Sequence, residues 1–466
     1  MHPNVPQRST IRPHAPPGLP SSAVQPRSES KPWDLLMIIA AGLLLVGQAR
    51  VHAFVPGASA FRPALLLSAV GLVVWATRNH GMRSLKRLDS PFMKAAWFIP
   101  LWAAIGVPFA MYQGGAARFL MGGLAPAFVV FLILAVAVRN LEDVRRLVGV
   151  FAAGTAVYAF MGPQNPIGRA FGAGGYDPND SAMFLVSGIP PLVYFTLFGR
   201  KLWVRVGAGV GTLLSLYAVI GTQSRGGFIA LVAVLGFMVL MLKGVKPALR
   251  AAVVVVVVLA SIPVASAEYW DRMQTIQEFD DGYGDGIGGR RSIWSRAVGY
   301  TFANPITGVG INNFTVAEGN HPDIRERIQR GVGTKYSVAH SQWFHVMAEL
   351  GIPGIIAFAA IFLIGLKELR KVQRHRGRSP PPMRPGEIRV MGGVLMASLI
   401  AIIVAGSLLS NPYATMTWGP FGIIAGFLKV YERPLRPRRP TPERTASLVL
   451  GPEGSPQPGF QRAGGL

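Results

Sequence analysis

Apolar runs long enough to cross a ~30 Å hydrocarbon core recur along this chain from about residue 35 to about residue 430. That recurrence leaves few folds open. In lipid, every backbone N–H and C=O must find its partner within the protein, so such runs form helices. The expectation is an all-α polytopic membrane protein with about twelve transmembrane helices, near 35–53, 63–77, 95–112, 118–138, 147–163, 182–199, 203–221, 225–242, 248–267, 345–366, 390–409 and 412–430. Half of the residues are hydrophobic and only 15% are Asp, Glu, Lys or Arg. The chain has no cysteine, which removes disulfides, thiolate metal sites and cysteine nucleophiles together.

Charge placement tests the span count and sets an orientation. Alternate short loops carry the basic residues: Arg78, Arg83, Lys86 and Arg87; Arg139, Arg145 and Arg146; Arg200 and Lys201; Lys243, Lys246 and Arg250; and the stretch from Lys367 to Arg389. The intervening loops hold only isolated ones, such as Arg118, Arg169 and Arg225. Under the positive-inside rule both termini are cytoplasmic. The same bias accounts for the net charge of +24, so nucleic-acid binding is not expected. Residues 1–33 and 431–466, rich in proline and arginine and without period, read as disordered cytoplasmic tails, and the first span reads as its own anchor with no cleavable signal. Between them the order is helices 1–9 over 34–267, one long periplasmic loop over 268–344, and helices 10–12 over 345–430. The spans are nearly free of charge along their interiors, which argues against an ion-coupled transporter.

Polar groups gather at the outer ends instead. Gly221-Thr-Gln-Ser-Arg225-Gly-Gly227 puts an arginine at the start of a helix, where free N–H groups and the dipole favour an anion. A guanidinium fork adds bidentate phosphate recognition. Position alone is served somewhat better by an arginine snorkelling to the interface. Arg290-Arg291-Ser-Ile-Trp294-Ser-Arg296 reads as an outer helix, lying on anionic headgroups or contacting a second phosphate. His340, ahead of the tenth span, can hold or release a proton near neutral pH, though a histidine in a helix cap is as ordinary there. Asp177-Pro-Asn-Asp180-Ser is a helix cap by pattern, with Asp180 also a candidate for a sugar hydroxyl. The acidic run from Asp280 is not a calcium loop. Counted from Asp281 it has Tyr283 at the third position and Ser292 at the twelfth, where an EF-hand needs an oxygen ligand and a glutamate. No Asp-x-Asp pair stands in the outer loops, so no metal site is expected.

Taken in order, Ser224-Arg225-Gly-Gly227, Arg291-Ser-Ile-Trp294, Asn304-Pro followed by Gly308-Val-Gly310 and Phe314, and Ala339-His340-Ser with Ala348-Glu-Leu-Gly-Ile-Pro-Gly354 resemble the O-antigen ligase and polymerase family. The resemblance runs from about Asp177 to Gly354; the first five spans and the tails add only hydropathy. It implies a glycosyltransferase of the bacterial inner membrane with its active site facing the periplasm. The implied donor is a glycan on undecaprenyl diphosphate and the acceptor a lipid A core or a second lipid-linked glycan. Transfer would proceed with inversion, with no cofactor and no metal. By motif match Arg225 and Arg291, with Arg290 beside it, would bind the diphosphate, and His340 would assist as base. The matched stretches favour a ligase over a polymerase. Of two further readings, a transporter of surface glycan is opposed by the charge-free spans and by the absence of a long central loop between the sixth and seventh, and a structural subunit of an export complex leaves the arginine–histidine set without a purpose.

Overall fold

The structure, a computed structural model, describes residues 32–161, 176–241, 243, 245–252, 255, 289–331, 338–375 and 383–431. Among these every regular element is a helix. Helix α1 (Leu35–Leu43) continues as a π-turn to Gln48, and α2 spans Pro63–Thr77 and α3 Pro91–Gly106. Helix α4 (Gln113–Phe119) runs through a second π-turn, Leu120–Leu124, into α5 (Ala125–Ala137). Then come α6 (Leu141–Met161), α7 (Pro178–Phe198), α8 (Leu202–Gly221) and α9 (Arg225–Met241). Three shorter helices follow, α10 (Arg290–Ala303), α11 (Phe314–Asn320) and α12 (Pro322–Gln329), and the chain closes with α13 (Gln342–Gln373), α14 (Glu387–Gly406) and α15 (Thr415–Tyr431). Among the described residues, eight helical stretches are long and apolar enough to cross a membrane, and Leu35–Gln48 and Arg225–Met241 are shorter apolar helices. This is a polytopic helical membrane protein. The ninth expected span, 248–267, lies almost wholly outside the described residues, as do most of both tails and residues 268–288 of the expected outer loop.

Several boundaries differ from the expected ones by a few residues; the helix of the tenth span, for one, runs on to Gln373. The first helix stops at Gln48, and residues 51–61 form short 3₁₀ turns beyond Arg50, which takes a left-handed φ of 49°. The fifth expected span begins at Leu141 rather than 147. Hydropathy ends where charge begins, but the helix continues because its charges are paired. Asp143 binds Arg139 (2.7 Å) and Arg146 (3.0 Å), Glu142 takes Arg200 (2.7 Å), and Arg145 lies 3.3 Å from Glu387.

These pairs mark one end of the bundle. Asp34 also sits there and binds Arg83 and Arg139. Burial alone would raise its carboxyl, but Arg83, the Met37 N–H and Arg139 outweigh it and hold it below its usual range. Every residue assigned to a cytoplasmic helix end that appears in these pairs meets the others at this end, so the helices alternate in direction as the charge pattern requires. In the middle of the bundle α7 is packed between α8, α9 and α14. Its Pro191 cannot donate to the carbonyl of Ser187; the Ser398 hydroxyl of α14 donates to that oxygen instead, at 2.7 Å. Gly188 lies against Thr155 of α6, where a β-carbon would come within 2.1 Å of the hydroxyl.

Candidate functional site

At the opposite end three helix starts are tied together by one short strip, Ser407–Asn411, between α14 and α15. Asn411 donates to Asp180 near the start of α7. Leu408 lies 3.3 Å from where a β-carbon on Gly226 of α9 would be. Ser407 accepts a 2.8 Å bond from the Trp343 indole at the start of α13, and Gly406 packs under Gln342. Helix α9 is further joined to α7 by Ser224 and Asn179, 2.8 Å apart. Asp180, Arg225 and the residues that follow His340 therefore share one neighbourhood.

Each local fold follows from the sequence. Asp177 caps α7, accepting from the N–H groups of Asn179 (2.7 Å) and Asp180 (2.8 Å), while Asp180 returns a contact to the Asp177 N–H. The cap reading of this motif is what the structure contains. Ser224 caps α9 by accepting from Gly227 N–H at 3.0 Å, after Gln223 turns the chain with a φ of 50°. Gly227 is required because Ala182 would stand 2.4 Å from a β-carbon. Arg225 is the first residue of α9 and is half-buried.

Arg290 and Arg291 open α10, the first half-buried and the second exposed. Ile293, Ala297 and Thr301 of α10 are buried along the stripe that Arg290 begins, with Arg291 on its flank, and the helix packs on α13. Arg296 points the other way from a phosphate role: it is held by Glu318 of α11 at 2.8 and 2.5 Å, and the Tyr300 hydroxyl donates to the same carboxylate at 2.8 Å. Burial and then the Glu318 charge raise the Tyr300 hydroxyl, so it stays protonated and donating. A buried pair of this kind joins α10 to α11 and would be costly to break on one side only.

His340 stands just before α13 with a left-handed φ of 48°, uncommon for a residue with a β-carbon. Its neighbours hold it there. Ala339 is fully buried and its carbonyl accepts from the Trp294 indole at 2.9 Å; Ser341 and Gln342 are buried on the other side. Trp294 in turn stacks on Phe344 at 4.9 Å. The tryptophan beside the arginines thus fixes the histidine's backbone, a role that the sequence motif alone did not disclose.

Helix α13 is broken at Gly351, where φ is 66° and ψ −167°. The loop 305–310 is threaded into the break: Val309 N–H donates to Ala348 (2.9 Å), Gly310 N–H to Glu349 (3.1 Å), and Ile352 N–H to Pro305 (2.8 Å). Glu349 is fully buried, accepts from Phe314 N–H at 3.0 Å, and lies 3.1 Å from His345. Sequence reasoning assigned neither residue a role. It passed over Ser407–Asn411, although a polar Ser-Asn-Pro run between two apolar spans was a visible signal.

The molecule is thus a many-span helical membrane protein whose paired charges mark one end and whose capped helix starts, arginines and strained histidine gather at the other. Residues 210–359, from within α8 to within α13, match the family described as O-antigen ligase, so the chain carries an O-antigen ligase family domain there. No curated protein matches the chain. The domain contains Arg225, Arg290, Arg291 and His340, while Asp180 and Asn411 lie outside it. It ties the protein to O-antigen ligase- or polymerase-type work on surface polysaccharide at a membrane.

Proposed function

We propose that this protein is a ligase: it moves a glycan from undecaprenyl diphosphate to a hydroxyl of a lipid A core at the periplasmic face of the inner membrane. The observation that carries this reading is the meeting of Arg225, at a capped helix start, with the segment around His340 through the strip 407–411. In the reaction the acceptor oxygen bonds to the anomeric carbon and the bond from that carbon to the diphosphate oxygen breaks. The diphosphate leaves with the electron pair, and the hydroxyl proton passes to His340. Attack opposite the leaving group inverts the centre. Arg225 and Arg291, with Arg290 alongside, offset the charge that grows on the diphosphate. This supplies without a metal what a divalent ion would otherwise supply. Asp180 contributes a contact to a sugar hydroxyl beyond its place in the cap. Transfer by the purified protein in detergent, from an undecaprenyl diphosphate-linked glycan and with no gradient or nucleotide, tests the class; no transfer sinks it. In a deletion strain a missing ligase leaves long polymer on the carrier and bare core at the surface. Single repeat units on the carrier would identify a polymerase instead.

His340→Ala slows transfer while donor binding is largely retained, because a base acts on the acceptor's proton in the transition state. Equal loss of donor binding in His340→Ala and Arg225→Ala would move His340 into the diphosphate site. The orientation has its own check. A cysteine replacing exposed Asp323 on α12 reacts with an impermeant thiol reagent in cells whose outer membrane has been made permeable. Labelling only after the inner membrane is broken would reverse the orientation.

A further inference from the structure

Two cavities adjoin at the same end as Arg225 and His340, and they differ in chemistry. The first is a cleft of about 570 Å³ lined by Tyr112, Arg118, Phe119, Asn312 and Thr315 among others. An aromatic ring, an amide, a hydroxyl and a guanidinium around one space suit a saccharide carrying negative charge. Arg118 is oriented there by its own surroundings: it donates to the Gly114 carbonyl at 3.2 Å and to the Tyr112 hydroxyl at 2.5 Å. The second cavity, about 480 Å³, is walled mainly by apolar groups, including Leu65, Met121, Pro126 and Val130, with Arg62 and His52 also on its lining.

The two share Gly122. This residue lies in the π-turn Leu120–Leu124, and no atom stands within 4 Å of where its β-carbon would be. A π-turn is a local widening of a helix, often found where a helix serves a site. Helix α2, which supplies Leu65, is largely exposed along Leu65, Leu66, Val70 and Val73, the surface of a helix that faces lipid.

We propose that the paired cavities hold one amphiphile, the acceptor glycolipid. Its sugar-bearing, anionic head occupies the cleft at Tyr112, Arg118 and Asn312, and its acyl chains lie in the slot at Leu65 and Met121. This rests on the ligase reading for the identity of the acceptor, but not for the binding itself. The undecaprenyl carrier shares part of this chemistry, having an anionic head and an apolar tail, so the test separates the two.

The experiment measures binding without turnover, on the full chain in detergent, with two probes: lipid A carrying core sugars, and undecaprenyl phosphate. Gly122→Leu puts a side chain into the junction, starting from a β-carbon with no atom within 4 Å, and Arg118→Gln removes the head's cation. Each variant weakens the lipid A probe by about tenfold or more and leaves undecaprenyl phosphate unchanged. Unchanged lipid A binding in both variants overturns the proposal, and loss confined to undecaprenyl phosphate gives the cavities to the carrier. If Gly122→Leu does not fold, Arg118→Gln alone decides by the same outcomes. Because no transfer is read, a protein that binds the glycolipid but moves no glycan would refute the ligase reading and leave this site standing.

Discussion

Replacing Arg225 by lysine lowers transfer by about 10²–10³, with the protein still inserted and folded. The charge is kept, so simple attraction to an anion survives. What is lost is the planar fork, which meets two phosphate oxygens at once where an ammonium meets them as a point charge. The position amplifies that loss. Arg225 is the first residue of α9, where N–H groups not used within the helix already favour an anion. Ser224 and Gly227 close the cap around it, and Gly226 lies against Leu408, so a shorter-reaching or differently shaped head has little backbone freedom with which to compensate. Single-turnover transfer, with insertion judged by size-exclusion profile and melting temperature, reads the effect. Near-normal turnover would return Arg225 to an interfacial arginine with no part in the reaction.

Gly351→Ala has the largest expected effect on folding, on the order of 3–5 kcal/mol. The residue has a φ of 66° and a ψ of −167°, a region that side chains strongly disfavour. A β-carbon would also lie 2.5 Å from the Ile306 carbonyl oxygen, which is backbone and cannot rotate away. The loop 305–310 must then leave the break, giving up its hydrogen bonds to Ala348, Glu349 and Ile352. Gly308 is bound by the same geometry from the other side, with a φ of 66° and a β-carbon position 2.4 Å from the Glu349 backbone. The check is the melting temperature in detergent beside Gly122→Ala, a glycine substitution with open space around it. Equal melting of the two would mean that the break in α13 is not a determinant of stability.

These particulars show what could be read from the chain beforehand. Hydropathy and the alternation of Arg and Lys between loops were enough for the helical class and for the alternating directions, because lipid enforces both. The cap at Asp177 was legible because capping is a local matter of one side chain and two or three N–H groups. The boundary at Leu141 was not, since the pairing of Asp143 with Arg139 and Arg146 and of Glu142 with Arg200 cancels charges that hydropathy counts singly. Nor was the coupling of Trp294 to Ala339, or of Asn411 to Asp180 across 231 positions of sequence. Such contacts depend on how helices assemble, and one sequence holds no local trace of that. The motif from Asn304 to Gly310 and that from Glu349 to Gly354 looked like two signals; folded, they are the two halves of one joint.

That joint has a consequence for how the chain is made. The buried residues of α10 and α11, among them Ile293, Ala297 and Phe314, form one cluster with Ala339 and Ala348 rather than a core of their own. Glu349, which binds the Phe314 N–H, and Ala348, which binds Val309, are synthesised some thirty-five residues or more after their partners. Residues 289–331 leave the ribosome before the helix that completes them. Over that interval the segment has apolar side chains and backbone donors awaiting partners, and only insertion of α13 supplies them. Translation order and packing order are opposed in this region, so maturation of this end of the bundle waits on a late helix insertion.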